Sequence, residues 1–181
     1  MSHSLPSGLL PLSKAFAVRL GLMLEAELIN YKYYLPWCNE VIRREDSPPD
    51  WIMDLYEVKY QPDAINIARS HAYWRPAVVF ERPADFYAAC LFIKYHYRMI
   101  SWASFLLESG RFVDCCSEDS VDCEYFFCML NELEDSEYNS ALEAIQVKQF
   151  AERFSADISE VEGLYRYFLF YFRQNKSAET K

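Results

Sequence analysis

Glycine, histidine and locally mixed charge are all in short supply in this 181-residue chain, and each shortage removes a class of function. The four glycines, Gly8, Gly21, Gly110 and Gly163, are scattered. A phosphate-binding loop needs glycines clustered so that backbone N–H groups can close on the anion. Neither the P-loop nor the dinucleotide fingerprint is therefore present. The three histidines, His3, His71 and His96, lie far apart. HExxH is missing and no Glu stands three residues before a histidine, so the zinc-hydrolase and carboxylate-bridged di-iron patterns are absent. GxSxG is absent too. The sequence names no catalytic residue, cofactor or metal, and a non-enzymatic role is the expectation.

A long uninterrupted apolar run is also lacking. Residues 86–107 are long enough to span a bilayer, but Lys94, His96 and Arg98 interrupt them, and charge at mid-membrane is costly; the segment reads as a buried helix. The leading MSHSLPSGLLPLSKAFAVRLGLML has no basic start, and Lys14 and Arg19 break its apolar run, so a secretory signal is not expected. The six cysteines, Cys38, Cys90, Cys115, Cys116, Cys123 and Cys128, include no CxxC pair of the kind structural zinc prefers. They are expected to be reduced thiols of a cytoplasmic protein that fill gaps in the core.

Positive charge is missing from one place in particular. The stretch 112–147, FVDCCSEDSVDCEYFFCMLNELEDSEYNSALEAIQV, holds ten Asp and Glu and no Lys, Arg or His. The whole chain carries 27 acids and 18 bases, net −9, so the rest, with 17 acids and 18 bases, is close to neutral. Packed like charges repel at some cost to the fold, and a basic partner would relieve that cost while speeding encounter. Phosphate backbones and anionic membrane surfaces would be repelled, so nucleic acid and membrane are not the expected partners.

What is abundant is apolar and aromatic surface, 52% and 17% of residues. That suffices for one core, so residues 1–181 are expected to form a single domain with loose ends at 1–11 and 175–181. Apolar spacings of three and four predict an all-α, multi-helix bundle. The expected helices are 13–34, stopped or kinked by Pro36 and resuming over 37–45, then 49–57 and 62–72. A connector over 74–85 leads to a long central helix at about 85–109, ended by Gly110. Three more follow: 118–134 capped by Ser117 or Ser120, 137–154 capped by Ser136, and 158–174 opened by the capping box DISE.

On the 118–134 helix, Glu124, Phe127, Asn131 and Glu134 share a side opposite the broad apolar one. An aromatic anchor flanked by carboxylates and an amide is a common interface arrangement. The expected partner-binding residues are these four, with Asp114, Glu118, Asp119, Asp122, Asp135 and Glu137 widening the negative field. Two other readings use different features. One is a scaffold or regulatory subunit that self-associates through exposed aromatics. The other is an enzyme with a site around Cys90, His96 and Arg98.

The run PWCNEVIRREDSPPDWIMDLYEVK, 36–59, with Trp37, Glu40, Ile42, Pro48-Pro49, Trp51-Ile52 and Asp54-Leu55, resembles bacterial immunity proteins of polymorphic or contact-dependent toxins. That resemblance implies a short, acidic, helical cytoplasmic inhibitor whose partner is a cognate toxin. If the toxin is a nuclease, an acidic surface with an aromatic anchor could fill its basic cleft. Independently of any family, Pro48-Pro49 turns the chain here, and Trp37 and Trp51 are expected to pack the corner.

Overall fold

The computed structural model describes residues 10–76, 79–115 and 121–179, and these contain nine α-helices and no strand. The all-α class expected from the apolar spacing holds. In chain order the helices are α1 (Lys14–Glu25), α2 (Tyr31–Arg44), α3 (Asp50–Glu57), α4 (Gln61–Tyr73), α5 (Pro83–His96), α6 (Trp102–Asp114), α7 (Cys123–Asp135), α8 (Ser140–Arg153) and α9 (Ser155–Glu179). The chain divides into two compact units. The first is Met1–Phe80 with Glu162–Lys181, and the second is Glu81–Val161.

In the first unit, α1 lies against α4. Ala64, Ala68 and Ala72 recur every fourth residue on α4 and are fully buried, so their small side chains allow close approach. A methyl group placed on Gly21 of α1 would stand 3.7 Å from the Ala68 Cβ, in ordinary contact. The centre of this unit is aromatic. Trp37 packs on Phe16 at 5.2 Å, on Phe168 at 5.5 Å and on Trp51 at 6.2 Å between ring centroids, which makes the expected corner. Its indole N–H donates to the Tyr167 hydroxyl at 3.1 Å, so the buried polar atom is satisfied. Burial of each such ring contributes roughly 1.5–3 kcal/mol.

In the second unit, Phe92, Trp102, Phe105, Phe126 and Phe150 form the core. The buried amide of Gln146 links three helices: Trp102 Nε1–H donates to its Oε1 at 2.9 Å, and its Nε2 donates to the Met129 carbonyl at 2.8 Å. Burial pushes the Tyr95 phenol up to about 12, helped by its 2.7 Å hydrogen bond to Glu143, so it stays a donor at neutral pH.

The helix boundaries differ from the sequence expectation in one systematic way. The segment 85–109 is not one long central helix. α5 ends at His96, α6 begins at Trp102, and Gly110 lies inside α6 rather than beyond its end. Likewise 13–34 is interrupted between Glu25 and Tyr31, and Pro36 sits inside α2. The stops are made by Glu27, Arg98 and Glu137, with φ of 53°, 59° and 54°. Each lies one residue past a helix cap. The N–H groups of each and of its successor turn back onto the last turn: Glu27 to Leu24 and Leu28 to Met23, Arg98 to Tyr95 and Met99 to Lys94, Glu137 to Glu134 and Tyr138 to Leu133. This is the Schellman arrangement, which usually uses glycine. Asn30, Ser101 and Asn139 then cap the following helices through their side chains. A left-handed turn without glycine has no simple sequence mark, so the apolar period ran straight through the turns at Glu27 and Arg98; the break expected between 134 and 137 is present, with α7 ending at Asp135.

Three helix starts also differ from the expectation. Asp122 caps α7, Ser117 and Ser120 lie outside the described residues, and Asn139 rather than Ser136 caps α8. The helix expected from 158 starts at Ser155, with Asp157 already in its first turn.

Candidate partner-binding face

Charge follows the division into units. From the sequence, the first unit carries 12 Lys and Arg against 11 Asp and Glu, net +1, and the second carries 6 against 16, net −10. Within the second unit the excess belongs to 112–147. Eight of its ten acids are described: Asp114, Asp122, Glu124, Glu132, Glu134, Asp135, Glu137 and Glu143. None of these eight is ion-paired with a described lysine or arginine. Glu118 and Asp119, also expected at the interface, lie outside the described residues.

α7 orients most of this charge. Asp122 accepts the Glu124 backbone N–H at 3.0 Å, and its charge and that of Glu124 oppose the positive end of the helix dipole. Phe126, Met129, Leu130 and Leu133 are buried, which fixes the rotation of the helix. At about 100° per residue, Glu124, Cys128, Asn131 and Asp135 then share an outward sector of about 60°. All four are exposed, and exposed Glu132 and Glu134 flank them on either side. Asp114, at the end of α6, is exposed as well and lies 3.8 Å from the Cys123 thiol. Desolvation, followed by the carboxylates of Asp122 and Asp114, raises the pKa of that thiol.

Phe127 is half-buried. A Cβ on Gly110 would fall 2.9 Å from its Cε1 and Cζ, so the ring is seated against the α6 backbone. Its inward contact thus uses surface that an interface anchor would present. The exposed aromatic of this region is Tyr138, at 58% exposure, which the sequence reading placed inside a helix. Tyr138 and Glu137 are consecutive left-handed residues, with φ of 59° and 54°. Local bonds hold them there. Tyr138 N–H donates to Leu133 O at 2.8 Å, Ser136 Oγ donates to the same carbonyl at 2.8 Å, and Asn139 N–H donates to Ser136 Oγ at 3.3 Å. Two adjacent strained residues next to a charged face are a positional signal that sequence spacing does not carry.

Cys90, His96 and Arg98 do not come together as a site. Cys90 is fully buried, and burial raises its thiol pKa well above the ordinary value, so it is a poor nucleophile. His96 and Arg98 are exposed at the α5–α6 turn. Among the described cysteines the expectation of buried core filler holds for two, and Cys116 lies outside the described residues. Cys38 and Cys90 are buried, Cys123 is half-buried, and Cys115 and Cys128 are exposed. Among the described residues no cluster of three or more His, Cys, Asp or Glu could hold a metal ion, and no helix is long and apolar enough to cross a membrane. No protein-family model, curated protein or solved structure matches the chain.

Proposed function

We propose that the chain is a non-catalytic binding protein that docks on a basic macromolecule through the acidic face of α7 and the adjoining α7–α8 turn. The carrying observation is the segregation of charge: net −10 on one unit, with the eight described carboxylates of 112–147 lacking cationic partners. Such a face attracts a cationic surface over roughly a Debye length, about 8 Å at physiological ionic strength, and accelerates encounter. Glu124 and Asp135 lie at its centre. Tyr138 is the aromatic anchor in this reading, because its turn is held by local hydrogen bonds and little backbone freedom is lost on docking. Together with the resemblance of residues 36–59, this favours an immunity-type inhibitor in the cytoplasm of a bacterium. It would cover the basic cleft of a toxin, a nuclease being the best electrostatic match.

The test is co-expression with the products of neighbouring reading frames, followed by co-purification at about 50 and about 500 mM salt. A tight complex weakened by salt is expected. It should be lost in a Glu124→Lys, Asp135→Lys double variant and weakened at least about tenfold in Tyr138→Ala. A complex indifferent to both would remove this face from the interface.

A further inference from the structure

The first unit contains a cleft of about 620 Å³ between α2, the end of α3 and α9, and neither Asp nor Glu is among its lining residues. Tyr31 and Tyr56 contribute rings to its walls, and Lys32 and Lys59 line it as well. Both of these ammoniums lie 6.0 Å from the Tyr31 centroid, so one ring gathers the two charges. Neither lysine is ion-paired with a described residue. Lys32 also sits in the first turn of α2, where no acidic residue opposes the positive end of the helix dipole.

The surface that continues from these residues is apolar. Met53 and Tyr56 are three residues apart on α3, hence on one side of it, and they are 40% and 43% exposed. Tyr60, which follows Lys59 directly, is 67% exposed. Aromatic rings and methionine are enriched at the centres of interfaces, with charge toward the rim, and exposed apolar side chains in such a setting mark a docking patch.

The same chain carries the complementary set. Glu124 and Asp135 are exposed on α7, and exposed Glu137 stands next to the exposed ring of Tyr138. The second unit is net −10 and the first is net +1, so two acidic faces repel each other and attraction between copies is confined to unlike patches. We propose that a second copy of the chain occupies the cleft, docking its acidic α7 face and Tyr138 turn there, with carboxylates on Lys32 and Lys59 and the Tyr138 ring against Tyr56. The contact is heterologous, joining different surfaces of the two copies. It rests on the reading of the acidic face as a docking surface, and it makes self-association compete with the basic partner for that face. Binding of the partner therefore separates the copies.

Sedimentation equilibrium of the full chain from about 10 to about 300 µM tests it. At about 50 mM salt the mean mass should rise with concentration above that of one chain, and about 500 mM salt should return it to one chain. A Lys32→Glu, Lys59→Glu variant and a Glu124→Lys, Asp135→Lys variant should each stay monomeric, because each lacks one half of the contact. Mixed in equal amounts they should associate again, since each retains the half that the other has lost. All four positions are exposed, and unchanged thermal unfolding of the variants would show that the fold is intact. Wild-type protein that stays monomeric across this range at low salt would overturn the assignment. So would association of either variant alone, or a mixture that stays monomeric. The lysine variant should still co-purify with the basic partner. A partner complex beside a monomeric wild type removes only the self-contact, whereas self-association without any basic partner removes only the inhibitor reading.

Discussion

The ring of Phe127 rests on the backbone of Gly110, so close that a single methyl group on Gly110 would fall 2.9 Å from two of its carbons. Here α7 lies against α6, and the glycine is required for space rather than for backbone freedom. Gly110→Ala should therefore destabilise the protein by about 1–3 kcal/mol, the usual cost of overpacking. Phe127→Ala in the same chain should recover part of that loss. A double-mutant cycle by urea denaturation reads the coupling, and strict additivity would show that the two residues do not meet.

The left-handed residues that follow the caps of α1, α5 and α7 offer the opposite experiment. Glu27, Arg98 and Glu137 adopt a conformation that disfavours a Cβ by roughly 1–2 kcal/mol. Replacing each by glycine removes that strain but adds freedom to the unfolded chain. A net gain of about 0.5–1 kcal/mol per site is expected. Thermal melts of the three single variants would check it. Loss of stability at Glu27 or Arg98 would mean that their side chains contribute more than the backbone strain costs.

His71 stacks on Trp51 at 4.7 Å, and desolvation, with Lys14 adding to it, lowers its pKa below the ordinary 6.5. The unfolded chain then binds the proton more readily than the folded one. Stability contributed by neutral His71 is complete above the unfolded value and is lost as pH falls through the folded value. Denaturation between about pH 7.5 and 5.5 should show this decline. His71→Phe keeps a ring on Trp51 and should flatten that part of the profile. An identical slope in the variant would refute the assignment.

The thiols should divide by burial. Burial raises the pKa of both Cys38 and Cys90, whereas Cys115 and Cys128 are exposed. Brief alkylation of the native protein, read by mass spectrometry, should label Cys115 and Cys128 and spare Cys38 and Cys90 until denaturant is added. Labelling of native Cys90 would return that residue to consideration as a reactive group.

Helical class and the segregation of charge were legible without coordinates, for different reasons. Apolar residues at three- and four-residue spacing can form a continuous buried stripe only on a helix. Net charge over a segment is a sum that folding does not alter, so the acidity of 112–147 was evident in one dimension. Tertiary structure decided where the helices expected over 13–34 and 85–109 break. Glu27 and Arg98 turn the chain in a conformation that glycine usually marks, and packing on both sides compensates the strain. It likewise decided which aromatic is seated and which is presented: Phe127 finds the bare backbone of Gly110, while Tyr138 is held outward on a turn.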